Sequence, residues 1–215
     1  MKKLAKLIFA SVFLFPSSTV FAQVPSGVEV APDIGLSLQY DMPGIGDYDL
    51  YKNGITAEAQ FRDWVSHPWG YSLAIGYGEW TTERDAKNPG SGLYDFSGNL
   101  QVVPFGGSVL YNIYQGDAWS FLLDAGVRYM AYDSKIRARQ KGLDEKMKYD
   151  VEVDDSILFS ASADADYAFN TDMAWTFGLG YRTDITRGEL STDLVKARDS
   201  IMESFFVSAA LRLSL

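Results

Sequence analysis

SILFSASADADYAFNTDMAW, residues 156–175, decides the fold class through its alternation. The odd positions Ile157, Phe159, Ala161, Ala163, Ala165, Tyr167 and Phe169 are apolar, and the even ones are mainly Ser and Asp, Asp164 and Asp166 among them. Period two marks a β-strand with one face in an apolar medium and the other in a polar one. A soluble sandwich and a membrane barrel share this alternation with opposite meaning, so the rest of the chain must say which face looks inward.

The same pattern recurs along the sequence. Ile34, Leu36, Leu38 and Tyr40 alternate with Gly35, Ser37 and Gln39, and Ile55, Ala57, Ala59 and Phe61 with Thr56, Glu58, Gln60 and Arg62. Tyr71, Leu73, Ile75 and Tyr77 begin a third strand, and Trp119 to Tyr129 form a fifth, with Ser120, Asp124, Gly126 and Arg128 on its polar face. After the strand quoted above, Trp175, Phe177, Leu179 and Tyr181 oppose Thr176, Arg182 and Asp184, and Phe205 to Leu215 oppose Ser204, Ser208 and Arg212. The fourth strand changes parity: Leu100 and Val102 precede Val103-Pro104, after which the apolar face continues on Phe105, Val109 and Tyr111. A β-bulge is expected there, since an unpaired residue tolerates a proline with no N–H.

WGYSL (69–73), WSFLL (119–123) and WTFGL (175–179) each follow a tight turn, whereas the intervening connections are longer and charged. Short turns alternating with long loops describe an eight-stranded antiparallel up-and-down meander. Its apolar faces start or end on Trp69, Tyr71, Tyr77, Trp119, Tyr129, Tyr167, Trp175 and Tyr181, the side-chain type that gathers at bilayer interfaces. The polar faces combine Gly, Ser and Ala with Glu58, Arg62, Asp124, Arg128, Asp164, Asp166, Arg182, Asp184 and Arg212. Small residues and balanced charges suit the crowded interior of a closed eight-stranded barrel, where opposite charges pair. The expectation is a transmembrane β-barrel with a side-chain-filled polar lumen.

At the N-terminus, Lys2, Lys3 and Lys6 precede an apolar core from Leu7 to Phe15 and the small-residue site Val20-Phe21-Ala22. This is the layout of a secretory signal peptide, cleaved after Ala22, which leaves residues 23–215 as one barrel domain. Without those three lysines the chain keeps 16 Lys and Arg against 28 Asp and Glu, which argues against nucleic acid as a partner. It has no cysteine, so neither disulfides nor thiolate chemistry enter.

Chemical motifs are sparse. His67, the single histidine, lies beside Ser66 in a short turn with only Asp63 near to orient it, an arrangement that makes no hydrolytic triad. DYDLYKNG (47–54) imitates the start of a calcium loop but has Tyr51 where an oxygen ligand belongs, and it is expected to be a solvated loop. No cofactor, metal or catalytic residue is expected. The run SKIRARQKGLDEKMKYDVEVDD (134–155) is basic first and acidic later, which allows pairing across a β-extension; Lys135, Arg137, Arg139 and Lys141 are candidate contacts for lipopolysaccharide phosphates.

LQVVPFGGSVLYNI, LLDAGVRYMAY, SASADADYAFNTDMAW and SFFVSAALRLSL resemble the strands of the small outer-membrane β-barrel superfamily, which includes OmpW-like, OmpX-like and OmpA transmembrane barrels. The resemblance runs from Val28 to Leu215, and the chain departs from it in ending on Leu215 rather than an aromatic residue. It implies a place in the bacterial outer membrane with both termini periplasmic, and contact with outer-membrane lipid, lipopolysaccharide and the assembly machinery. A non-enzymatic structural or surface-interaction role follows, with an unidentified surface ligand; a narrow pore or conduit for small, apolar solutes is the alternative.

Overall fold

The computed structural model describes residues 31–43, 51–82, 94–140, 148–185, 188–191, 196–200 and 203–215. The signal segment and Lys141 lie outside them. Eleven strands are present among the described residues: β1 (Asp33–Pro43), β2 (Tyr51–Ser66), β3 (Trp69–Thr82), β4 (Tyr94–Gln115), β5 (Trp119–Gln140), β6 (Lys148–Val153), β7 (Ser156–Ala168), β8 (Met173–Asp184), β9 (Gly188–Ser191), β10 (Lys196–Ser200) and β11 (Ser204–Ser214). The later half of DYDLYKNG is therefore strand rather than loop, because Tyr51–Gly54 continue β2 and pair with β3.

Eight of these strands close on themselves. Each pairs antiparallel with its neighbour in the order β5, β4, β3, β2, β1, β11, β8, β7, and β7 returns to β5. Starting at Asp33 and stepping across Arg62, Ser72, Ser108, Gly126, Ser160, Arg182 and Ser204, the register re-enters β1 at Pro43, ten residues above the start. A stagger of that size tilts the strands by roughly 40° and leaves an interior that side chains can fill. No sheet edge remains along the closed wall.

Alternation sorts the two faces. Leu36 is 73% exposed, Leu38 64%, Ile75 60% and Leu179 60%, while Ser37, Gln39, Glu58 and Arg182 between them are buried. An apolar outside around a polar, buried inside is the reverse of a soluble sandwich. Aromatic rings gather in two belts on the outside. Trp69 packs at a tilt against Tyr111 and Trp119 against Tyr167 toward the short turns, and Phe105 against Tyr129 and Tyr181 against Phe205 toward the long connections. About ten tilted residues separate the belts, roughly the 25 Å apolar height of an outer-membrane barrel.

The fourth strand departs from expectation. Its register with β5 runs unbroken from Tyr94 through Asn112, and its register with β3 is the same on either side of Pro104, so there is no bulge. The ladder to β3 skips from Ile75↔Phe105 to Gly78↔Val102, where Pro104 has no N–H to give. Val103 and Phe105 face out and Leu100, Val102 and Pro104 face in, all three buried. The parity change marks apolar residues entering the lumen.

The wall is lopsided. β4 and β5 have 22 residues each against 11 in β1 and β11. Above the loop-side belt β5 pairs with β6, β6 with β9, and β9 with β10, so a sheet rises from one side of the barrel. This includes the β-extension of the 134–155 run, with Ile136 opposite Val151 and Arg139 opposite Lys148.

Candidate functional site

The lumen is the candidate site, and it has two storeys. The lower one, at the short-turn end, is a closed ring of hydrogen bonds. Arg62 donates to Asp33 through Nε (3.1 Å) and to Asp166 through Nη2 (2.9 Å). Asp166 accepts a second bond from the Thr176 hydroxyl (2.5 Å), which itself accepts from Arg212 Nε (2.8 Å). Arg212 returns to Asp33 through Nη1 (2.9 Å) and reaches Gln60 through Nη2 (2.7 Å). Five strands, β1, β2, β7, β8 and β11, are thereby tied across the barrel. Both guanidiniums are nearly inaccessible, and charge-assisted bonds of this kind are the stronger class.

Higher up, Arg182 is the hub. It is 2% exposed, lies 3.2 Å from Asp41 and 3.8 Å from Glu58, donates to the side-chain carbonyl of Gln39, and sits 4.7 Å over the Phe206 ring. Thr56 supports Asp41 through its hydroxyl (3.1 Å). Asp124 accepts from Ser108 (2.7 Å), which is bonded to Ser72 (2.6 Å). Arg128 is buried with no partner for Nη1, Asp164 accepts no hydrogen bond from a described residue, and Asp184 is inward on β8 opposite Leu158. Gly178 makes room for Asp164, since a Cβ there would lie 2.5 Å from its Oδ1.

The upper storey is apolar. Leu100, Val102, Met130 and Leu158 are each 0% exposed, and Trp80 at 4% lies against Gly54, where a Cβ would stand 2.1 Å from the indole. Together they roof the ion pairs. Below the roof lies a cavity of about 40 Å³, and another, of about 160 Å³, opens at the turn end beside Arg62, Arg212, Asp117 and Trp119, with Arg212 in the lining of both. Among the described residues, charged and apolar side chains fill much of the bore.

All nine charged residues expected in the lumen are on the inward face, but they do not form one network. Glu58 and Arg182 belong to the upper group, and Arg62, Asp166 and Arg212 to the ring. Asp124, Arg128 and Asp164 lie between the two, and Asp184 stands above Arg182 on the same strand. Sequence reasoning missed Asp33 and Asp41, which continue the inward parity of Gly35, Ser37 and Gln39 at either end of β1. Nor did it include Leu122, Met130 and Leu158, apolar residues on the inward parity that are buried. On the outside, Trp69, Tyr77, Trp119, Tyr167 and Trp175 are exposed, and Tyr71, Tyr129 and Tyr181 half-buried. Tyr71 donates to Asp63 (3.0 Å), whose other oxygen accepts from the Trp64 amide (2.8 Å), so Asp63 is engaged away from His67. Lys135 and Arg137 are exposed on the raised part of β5, with Lys135 donating to Gln101 (3.4 Å) and Arg137 3.6 Å from Asp150. The backbone of Arg139 pairs there too.

No protein-family model and no curated protein matches the chain. Solved structures do. The outer membrane protein OprG from Pseudomonas aeruginosa superposes with a TM-score of 0.56 at 10% identity, over 86% of this chain and 94% of that one. A major outer membrane protein from Thermus thermophilus gives a TM-score of 0.52 at 15% identity, over 85% of this chain and 100% of that one. With the closed eight-stranded wall, these likenesses define the fold as that of the small outer-membrane β-barrels.

Proposed function

We propose that the chain is exported on a signal peptide comprising residues 1–22, spans the bacterial outer membrane as residues 23–215 with both termini periplasmic, and serves as a sealed structural or surface-interaction barrel rather than an enzyme. The crowded lumen carries this reading, since the ring of Arg62, Asp166, Arg212 and Asp33 and the buried Leu100, Val102, Met130 and Leu158 stand across the bore. The charged lumen residues then stiffen the wall, and the aromatic belts anchor it in lipid. The sheet raised on β4 and β5 is the part available to ligands, and Lys135 and Arg137, with Arg139 and Lys141 following in sequence, would meet lipopolysaccharide phosphates. Insertion would depend on the outer-membrane assembly machinery. In a planar bilayer the refolded protein is expected to be electrically silent; sustained unitary currents from the native chain would refute the sealed barrel.

A second reading, a conduit for small apolar solutes, draws support from the apolar roof and from the interrupted ladder beside Pro104, where the wall between β3 and β4 has fewer hydrogen bonds. It requires the roof to part. Faster uptake of an apolar dye by loaded vesicles than by empty ones, abolished by Val102→Trp, would favour it over the structural role.

A further inference from the structure

Between the ring and the Arg182 group the lumen contains charges that the protein leaves unmatched. Arg128 is 6% exposed, and its Nη1 has no hydrogen-bond partner. Asp124, four residues earlier on the same inward face of β5, receives only the Ser108 hydroxyl among the described residues, and Asp164 receives nothing. All three line the cavity of about 40 Å³, with Ser160 and Ser162 of β7 in its wall. A buried guanidinium and two part-buried carboxylates that face one void are each short of hydrogen bonds, and such groups are rarely left so.

We propose that this cavity is a built water site, holding about three ordered molecules that join Arg128 to Asp124 and Asp164, since one water needs roughly 10–15 Å³ on the same measure. An ion is disfavoured by the lining. Arg128, Arg182 and Arg212 stand against Glu58, Asp124 and Asp164, so neither a cation nor an anion finds an excess of the opposite charge. Water donates and accepts at once and satisfies both signs. The cluster joins the lower ring to the upper ion pairs as one hydrogen-bonded column, and it does so whether or not the barrel transports anything.

The test is a crystal structure of the refolded mature chain at a resolution that shows water. Two or three density peaks are expected in this cavity, each within about 3.2 Å of Arg128, Asp124 or Asp164. An empty cavity, a density that refines only as an ion, or direct contact between Arg128 and Asp124 would overturn the proposal. Ser162→Val, which narrows the cavity and leaves every charge in place, is expected to lose at least one peak. In solution, Arg128→Met is expected to lower the denaturant midpoint of the native chain more than that of Asp124→Asn. Equal drops in the two backgrounds would mean that the groups are not joined.

Discussion

The two storeys of the lumen solve the same packing problem with opposite chemistry. Below, the ring formed by Arg62, Asp166, Thr176, Arg212 and Asp33 pairs groups that need partners. Above, Leu100, Val102, Met130 and Leu158 need only contact and exclusion of water. The lower storey fixes which strands face each other, because ion pairs are directional. The upper one lines the bore with apolar side chains, which leave nothing for water to bind.

This contrast can be broken at several points, in falling order of expected effect. Arg182→Leu strands Asp41 and Glu58, both about as buried as Arg182 itself, and is expected to cost about 3–5 kcal/mol in a denaturant titration in vesicles. Replacing Arg182, Asp41 and Glu58 together with Met, Leu and Met should recover most of that loss; no recovery would mean that the charges do more than satisfy one another. In the roof, Leu158→Ala is expected to cost about 2–5 kcal/mol through the cavity it leaves. Its unfolding midpoint should fall without any charge being stranded, and bilayer recordings should show whether the roof alone stops ions. On the lipid side Ala163→Arg, between Leu123 and Leu179 in midwall, is expected to cost about 2–4 kcal/mol, and an unchanged midpoint would mean that this face does not meet lipid.

The finest test concerns the aspartates of the opening stretch. Asp166→Leu removes a ring member and should cost about 3 kcal/mol or more, whereas Asp164→Leu breaks no direct ion pair and should cost about 1 kcal/mol. Equal losses at both positions would erase the distinction between the ring and the hydrated centre.

In the sequence these two aspartates are alike, two residues apart on one face. What separates them is the ten-residue stagger, which places Asp166 across the bore from Arg62, 104 residues away, and leaves Asp164 beside Gly178. No local pattern carries that information. The eight strands of the wall and their apolar outer faces were legible because period-two alternation is a local rule. The roof was not, because Leu100 and Val102 on the inward parity look like a lipid face displaced by one residue, which is how a bulge came to be expected at Pro104. Asp41 was hidden because it opens the charged stretch after Tyr40 and reads as the start of a connection, whereas β1 runs on through it to Pro43.

The lopsided wall also bears on the order in which the chain acquires its structure. β4 and β5 are the longest strands, and only Gly116, Asp117 and Ala118 separate them, so their hairpin closes with little loss of chain entropy. The seam between β1 and β11 joins Asp33 to Ser214, almost the full length of the chain, and its closure entropy is the largest in the molecule. Folding into lipid is therefore expected to begin at the central hairpin and end at the seam. Pulsed amide exchange during refolding should protect Leu110 and Leu122 before Leu36 and Leu211, and the reverse order would mean that the termini meet first.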